Sequence, residues 1–231
     1  SPIESPWPSE PLLLSTPGAK TKGYAGRRAF SPHTCTAGQG QAGAQQAPAI
    51  KAANQAKDQR GRSGMSDGLR RVLVMMAHPD DPDFFCGGTL ALWASQGSEI
   101  RYVLATSGDK GSPSAEADSN ALMVLREEEQ RAAARVIGAR EPIFLRHRDG
   151  ELADDLALRR ELVRAIRLFS PDVVVTTDPL HFYAGSQRVN HADHRVIGSA
   201  VLGAIFPVAG NPRFFPELLD IEGLAPHNPR E

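Results

Sequence analysis

The sequence predicts an α/β fold: a Rossmann-like, doubly wound, mainly parallel sheet with helices on both faces. Two observations predict it. Short apolar runs without alternation, typical of strands buried on both faces, alternate with longer segments of helical periodicity in the second part of the chain. Most of these apolar runs end in polar or glycine-rich segments, as strands do at the carboxyl edge of a parallel sheet.

The first predicted strand covers residues 72–77 and ends at His78-Pro79-Asp80-Asp81. Pro79 has no backbone N–H and disfavours a helical conformation at His78, so the strand ends there. Because open α/β sheets bind ligands beyond the carboxyl ends of their strands, His78, Asp80 and Asp81 are candidates for a Zn²⁺ site. One of the carboxylates could take a proton from a bound water. An ordinary acidic turn is the alternative interpretation of this motif by itself.

The next elements follow from the same patterns. Helices are predicted over 84–96, 122–137 and 155–169, and strands over 100–105, 142–145 and 171–177. Polar loops follow the second and third strands, and residues 207–231 contain no clear element. Most of the charged run 126–131 is expected to face solvent. The side chains expected on the apolar faces of the first two helices are Phe85, Leu90, Leu92 and Trp93, and then Leu122, Leu125, Ala132, Val136 and Ile137.

A second histidine motif, Asn190-His191-Ala192-Asp193-His194-Arg195, follows the last predicted strand. Asn190 is a good helix N-cap and Asp193 stands three residues later, so a helix is predicted to begin here. His191 and His194 are then one turn apart on the same face. The predicted fold brings both histidines towards the first motif, which strengthens the prediction of a metal site.

Composition separates residues 1–64 from the rest of the chain. They are rich in Pro, Gly, Ser, Ala and Gln without sustained periodicity, which predicts a disordered extension ahead of one domain over residues 65–231. The basic residues of the extension are scattered and the net charge of the chain is −1, so nucleic acid is not an expected partner. The two cysteines, Cys35 and Cys86, form no disulfide framework, and no apolar run is long enough to cross a bilayer. A cytoplasmic protein without a transmembrane segment is expected, and a homo-oligomer is left open.

Taken together, these motifs resemble the zinc-dependent de-N-acetylases of the PIG-L/LmbE type. The resemblance extends in order over nearly all of residues 71–231. It rests on Ala77-His78-Pro79-Asp80-Asp81, Gly87-Gly88-Thr89-Leu90, Thr106-Ser107-Gly108-Asp109-Lys110-Gly111, Arg126-Glu127, Arg148-Asp149-Gly150-Glu151-Leu152, Pro171-Asp172-Val173-Val174 and Asn190-His191-Ala192-Asp193-His194-Arg195.

The resemblance implies a Zn²⁺ ion held by the residues His78, Asp81 and His194. It further implies that Asp80 is the general base and that His191 is a second acid or an electrostatic partner. These roles agree with the chemistry of the residue types, because three protein ligands leave a position open for water, and the metal lowers the pKa of that water.

The resemblance also suggests that Arg126 and Asp149 line the substrate pocket, and Asp193 is expected to support the site. The implied reaction removes an acetyl group from a small-molecule N-acetylated amino sugar or its conjugate. Cleavage of the amide in a thiol-sugar conjugate is the alternative within the same enzyme class.

The sequence departs from the family pattern in three places. Ala192 stands where proline is usual, and Val189 stands where some members have a tyrosine, for which Tyr183 is the nearest candidate substitute. Members usually continue beyond the segment that ends here at Glu231, so the domain is expected to be truncated at its C-terminus. A catalytically silent zinc-binding module is therefore the alternative from another functional class.

Overall fold

The computed structural model of the protein describes residues 70–114, 116–185 and 187–231. The predictions made for residues 1–64 and for Cys35 lie outside these ranges. Within them, Cys86 is a free thiol. None of the helices in the described ranges combines the length and the apolar character that a membrane span requires.

Strands and helices alternate along the described chain. They are β1 (Arg71–Met76), α1 (Asp81–Ser95), β2 (Glu99–Thr106), α2 (Ser119–Ile137), β3 (Ile143–His147), α3 (Leu156–Phe169), β4 (Val173–Val175), β5 (Tyr183–Ala184), β6 (Arg188–Val189), α4 (Ala192–Gly203), a π-helical segment (Ala204–Ala209) and α5 (Pro216–Asp220). The elements predicted up to residue 177 are present, with ends that differ by a few residues. The β5–β6 hairpin, the π-helical segment and α5 were not predicted, because each is too short to produce a periodic pattern.

Four parallel strands form the main sheet in the order β3-β2-β1-β4. The central strand β1 pairs with β2 from Arg71↔Glu99 to Met76↔Leu104, and with β4 from Val72↔Val173 to Val74↔Val175. Strands β2 and β3 are added on one side of β1, and the chain then crosses to the other side of β1 to form β4. The carboxyl ends of β1 and β4 therefore flank the switch point at which doubly wound sheets bind ligands. The predicted fold class is confirmed.

The side chains of β1 alternate between two cores, one on each face of the sheet. Leu73 and Met75 pack with residues of α3 and α4, whereas Val72 and Val74 pack with residues of α1 and α2. Residues 72–77 are at most 2% exposed. Coverage on both faces explains why the strand has no apolar–polar alternation.

The predicted apolar faces of two helices were partly wrong. Phe85 and Leu92 of α1 and Leu125, Ala132 and Val136 of α2 are exposed, although Leu90 is buried as expected.

Most of the charged run 126–131 was predicted to face solvent, but only Glu128 and Glu129 are exposed and Glu127 is buried. Its carboxylate accepts hydrogen bonds from both Nε and Nη2 of Arg146, from Ser107 and from Arg131. Burial alone would raise the pKa of Glu127, but the hydrogen bonds from Arg146 and Ser107 outweigh it and lower that pKa. The partners that make this burial tolerable come from β3 and the loop after β2, so α2 is tied to the carboxyl edge of the sheet.

One buried guanidinium binds the end of the π-helical segment and the chain that follows it. Arg167 of α3 is 3% exposed and points into this segment. It donates to the carbonyl oxygens of Val208, Ala209, Asn211, Phe214 and Phe215. The chain then returns to the edge of the sheet, where the N–H of Val174 donates to the carbonyl of Glu231.

Replacing Arg167 with methionine is expected to lower the free energy of unfolding by about 3 kcal/mol, because buried carbonyls lose a charged donor and each such bond contributes about 1.5–3 kcal/mol. Urea denaturation followed by circular dichroism measures the change. Arg135→Met, on the exposed side of α2, is the matched control and should change stability by less than about 0.5 kcal/mol. Equal effects of the two substitutions would contradict the role of Arg167.

His147 and Glu161 predict a small dependence of stability on pH. Nε2 of His147 lies 2.7 Å from Oε2 of Glu161, and this hydrogen bond raises the pKa of His147 above 6.5 although burial lowers it. The pair therefore stabilises the folded state below the pKa of the unfolded chain, and this contribution is lost as pH rises through the folded-state pKa.

The free energy of unfolding of the wild type should exceed that of Glu161→Gln by about 0.5 kcal/mol near pH 5.5, and the difference should shrink towards pH 9. Parallel urea titrations at the two pH values measure it. Glu141→Gln, which removes a carboxylate paired with Arg131, should show no such change between them. A pH-independent difference for Glu161→Gln would rule out a titrating His147.

Candidate metal centre

Two loops bring polar side chains to the switch point between β1 and β4. His78 follows β1, and its backbone N–H donates to the Asp81 carboxylate at 2.8 Å. His191 and His194 lie at the start of α4, whose N-cap is His191 and not the predicted Asn190. Gly198 lets α4 approach the chain that leaves β4, because a Cβ at this position would lie 2.2 Å from the carbonyl oxygen of Thr177.

The side chains of His78, Asp81 and His194 converge on one point. Nδ1 of His78 lies 3.3 Å from Nε2 of His194, which lies 3.1 Å from Oδ1 of Asp81. Oδ2 of Asp81 lies 3.5 Å from Nδ1 of His78. Donor atoms around a tetrahedral zinc ion, at metal–ligand distances of about 2.0–2.2 Å, stand about 3.3–3.6 Å apart. The His78–His194 and His194–Asp81 distances are close to this spacing, and one donor atom from each of the three residues lies within 4.8 Å of the others, so the group could hold a metal ion.

The outer nitrogens of the two imidazoles fix where their protons lie. Nδ1 of His194 is 3.0 Å from Oδ1 of Asn190, whose amide nitrogen donates to the carbonyl of His181. The Asn190 oxygen must then accept, and His194 carries its proton on Nδ1. Nε2 of His78 faces Asp149 at 3.2 Å and Asp193 at 3.3 Å, so it donates as well. When the rings are neutral, Nδ1 of His78 and Nε2 of His194 are therefore the nitrogens that can face a cation together with the Asp81 carboxylate.

The electrostatics of the centre point the same way. Three carboxylates, those of Asp81, Asp149 and Asp193, surround His78. Burial lowers the pKa of His78, but the hydrogen bonds to Asp193 and Asp81 and the nearby charges outweigh it and raise that pKa to about 10. Burial likewise raises the pKa of Asp81, but its contacts with His194 and His78, including the backbone N–H of His78, hold that pKa well below its usual range. The carboxylates thus favour a positive charge at this point, which His78 carries when it is protonated and which a bound metal cation could supply in its place.

A second group, formed by His78, Asp149, His191 and Asp193, also has cation-binding spacing. Its proton positions fit a cation less well. Nδ1 of His191 accepts from the backbone N–H of Asp193 at 3.2 Å, so the neutral ring carries its proton on Nε2. Asp193 is 1% exposed and accepts the N–H of Gly150 at 2.7 Å. We assign Asp149 and Asp193 as the outer partners that orient His78.

Asp80 points away from this donor set. Its carboxylate accepts a hydrogen bond from Nη2 of Arg126 at 2.7 Å, and the same nitrogen donates to the carbonyl of Pro79 at 2.7 Å. The side chain of Asp80 is two thirds exposed, and its backbone has a φ of +92°. In the structure, Asp80, the predicted base, therefore lies beside the donor set and is hydrogen-bonded to Arg126.

A cavity of about 720 Å³ opens beside His191 and His194. Its wall combines aromatic, aliphatic and polar side chains, which include Phe84, Phe85, Asp178, His181, Arg188 and Val189. The side chains of Arg126 and Asp149 do not line this cavity, and their part in substrate binding stays a prediction. Tyr183 pairs with Val189 across the β5–β6 hairpin, so it neighbours the position at which some members of the resembled family have tyrosine.

A comparison with known proteins places most of the domain in one family. The PIG-L family of GlcNAc-PI de-N-acetylases matches residues 73–205, which include every residue of the two histidine motifs. The chain belongs to the PIG-L family. The resemblance inferred from the motifs is confirmed.

Among PIG-L relatives, a diacetylchitobiose deacetylase of Thermococcus kodakarensis is 33% identical over 160 residues, which are 69% of this chain and 57% of the relative. A 1D-myo-inositol 2-acetamido-2-deoxy-alpha-D-glucopyranoside deacetylase of Rhodococcus erythropolis is 30% identical over 174 residues. The match covers 64% of this chain and 59% of the relative. The chain thus spans less than two thirds of the length of these curated relatives.

A solved structure has a similar fold. It is the N,N'-diacetylchitobiose deacetylase from Pyrococcus horikoshii complexed with an inhibitor, with a TM-score of 0.66 and 27% identity. The match covers 81% of this chain and 68% of that structure.

Proposed function

We propose that this chain carries a zinc-dependent hydrolase site that removes an acetyl group from an N-acetylated amino sugar or its conjugate. The observation that carries the proposal is the convergence of His78, His194 and Asp81, in which the outer ring nitrogens are engaged by Asn190, Asp149 and Asp193 and the inner ones face one another. The names of the PIG-L relatives support the reaction and the substrate class, because both curated relatives are named as deacetylases.

The donor set suits zinc. Two imidazoles and a carboxylate are ligands that zinc accepts, and three protein ligands leave a fourth position free, as in catalytic zinc sites. Bound zinc lowers the pKa of a coordinated water and polarises a carbonyl group. Asn190, Asp149 and Asp193 hold the two imidazole rings in the required tautomers.

His191 is the proposed proton donor to the leaving amine. In the neutral ring Nδ1 accepts the N–H of Asp193. To act as an acid, His191 must first take up a second proton and release this hydrogen bond; Nε2 can then give its proton to the amine and leave the ring neutral. Oδ1 of Asp149 lies 3.8 Å from this Nε2 and would stabilise the ring when it is protonated. The side chain of His191 is 45% exposed and lines the cavity, where substrate can reach it.

Asp80 is the proposed general base. To act, its carboxylate must leave Arg126 and turn towards the donor set, and the exposed side chain has room to rotate. Arg126 then keeps a donor free for an acceptor group of the substrate, which is consistent with its predicted role in the pocket.

The cavity beside His191 is the proposed sugar site. Its volume of about 720 Å³ falls within the range of about 300–1,000 Å³ that is usual for small-molecule sites. Phe85 and Val189 offer an apolar wall, and Asp178, His181 and Arg188 offer groups that can hydrogen-bond to sugar hydroxyls.

An acetate-release assay tests the proposal. The zinc-loaded chain should release acetate from N,N'-diacetylchitobiose or from a simple N-acetylglucosaminide, and chelation should abolish the release until zinc is restored. The chelated protein is the control for metal-independent hydrolysis. If the chain binds one equivalent of zinc but releases no acetate from either substrate, the site is a binding module and the proposed reaction is wrong.

A further inference from the structure

The turn that carries Asp80 and Asp81 has an unfavourable backbone conformation. Asp80 has φ +92° and ψ −30°, in a region that residues other than glycine rarely adopt. Such a conformation persists only where the surrounding structure fixes it. The groups that fix Asp80 therefore decide where the proposed base and the adjacent proposed ligand stand.

Gln130 of α2 makes the contacts that fix this turn. Its side-chain oxygen accepts the backbone N–H of Asp80 at 2.6 Å, and its side-chain nitrogen donates to the carboxylate of Asp83 at 2.8 Å. Gln130 is 2% exposed, so water cannot replace either bond. The backbone N–H of Asp83 donates in turn to the carbonyl of Asp80 at 3.0 Å, which closes the loop of contacts.

The geometry points to Gln130 as the positioning residue of the centre: its carboxamide bridges Asp80 and Asp83 and holds the Asp80–Asp81 turn in its left-handed conformation. This inference rests on the proposed function in one respect: the turn matters for catalysis because Asp80 is the proposed base and Asp81 a proposed zinc ligand. Gln130 is not part of the donor set around His78, so it acts through the turn and not on the substrate.

Both ends of the carboxamide are needed, because one partner is a donor and the other an acceptor. A carboxylate at position 130 would still accept the N–H of Asp80 but would face the carboxylate of Asp83. An asparagine at position 83 could then donate to that carboxylate and restore the bridge with reversed polarity. The bridge can therefore be broken and rebuilt without changing the size of either side chain.

Three variants test the proposal: Gln130→Leu, Gln130→Glu, and Gln130→Glu combined with Asp83→Asn. Glu128→Leu, on the exposed side of the same helix, is the matched control. Zinc dissociation constants with a competing chelator, kcat and KM for acetate release, hydrogen exchange at the Asp80 amide and the thermal midpoint are measured for each.

Gln130→Leu and Gln130→Glu should each weaken zinc binding and lower kcat by about tenfold or more, in line with the loss of outer partners at metal sites. They should also speed exchange of the Asp80 amide. The combined variant should recover all three quantities to within about threefold of the wild type, and Glu128→Leu should leave them unchanged.

A combined variant that folds but shows no recovery over Gln130→Glu would overturn the proposal, as would a Gln130→Leu variant with unchanged zinc affinity and Asp80 exchange. If the wild type releases no acetate, the proposed function fails. Amide exchange and zinc affinity then still decide whether Gln130 positions the turn. If Gln130→Leu does not fold, the two glutamate variants decide it, because they keep the size of the side chain.

Discussion

His194→Ala is expected to lower zinc affinity by more than the roughly 10–100-fold that the loss of an outer partner costs, and to abolish acetate release. The imidazole supplies one of the three donor groups, and without it only Nδ1 of His78 and the Asp81 carboxylate remain to bind the metal. Metal content after dialysis against a zinc buffer, together with a dissociation constant from chelator competition, measures the loss.

Two further variants provide an intermediate case and a control for this result. Asn190→Ala removes the acceptor that keeps the proton of His194 on Nδ1, so it should weaken zinc binding by about 10–100-fold. His181→Ala keeps the backbone carbonyl that binds Asn190 and removes a ring that lines the cavity outside the donor set. It should leave zinc affinity unchanged. If His194→Ala retained wild-type affinity, the second group around Asp149 and His191 would be the metal site.

The sequence predicted the two histidine motifs of the candidate centre because each one follows a strand. A run of apolar residues that stops at His78-Pro79 predicts both the strand and the place where ligands gather, and the spacing of His191 and His194 predicts that they share one helix face. The fold then brings these local motifs to neighbouring strands, and the structure places three of their side chains within hydrogen-bonding distance or slightly beyond it.

The contacts that orient the ligands were harder to foresee. Asn190 was expected to cap α4, but its side chain bonds to His194 four residues later and to the carbonyl of His181. Asparagine at a helix start commonly caps it, so the pattern gave no reason to prefer the histidine. The spacing of four residues was the available signal, because such residues are neighbours on a helix.

The long-range partners of α2 could not be predicted. Arg126, Glu127 and Gln130 belong to a charged run that is usually a solvated face, yet each binds the carboxyl edge of the sheet. A single sequence records that a side chain is polar but not that its partner lies on another strand. The same limit applies to Arg167, whose five carbonyl acceptors lie 41 to 48 residues away.

Asp80→Asn is expected to lower kcat by about 10²- to 10⁴-fold with zinc affinity nearly unchanged, because a general base contributes that much and the Asp80 carboxylate is not in the donor set. Single-turnover acetate release and zinc competition, measured on the same preparation, separate the two effects. The matched comparison is Asp81→Asn, which removes an equal charge from the next residue.

The two neighbours should differ in kind. The Asp81 carboxylate lies between His78 and His194, so its loss removes a donor and zinc should dissociate. The Asp80 carboxylate is hydrogen-bonded to Arg126, so its loss should leave zinc bound and lower the rate of acetate release. Equal loss of zinc in both variants would show that Asp80 turns inward as a ligand. Equal turnover in Asp80→Asn and the wild type would show that another group abstracts the proton. His191 would then be the first residue to substitute in the search for that group.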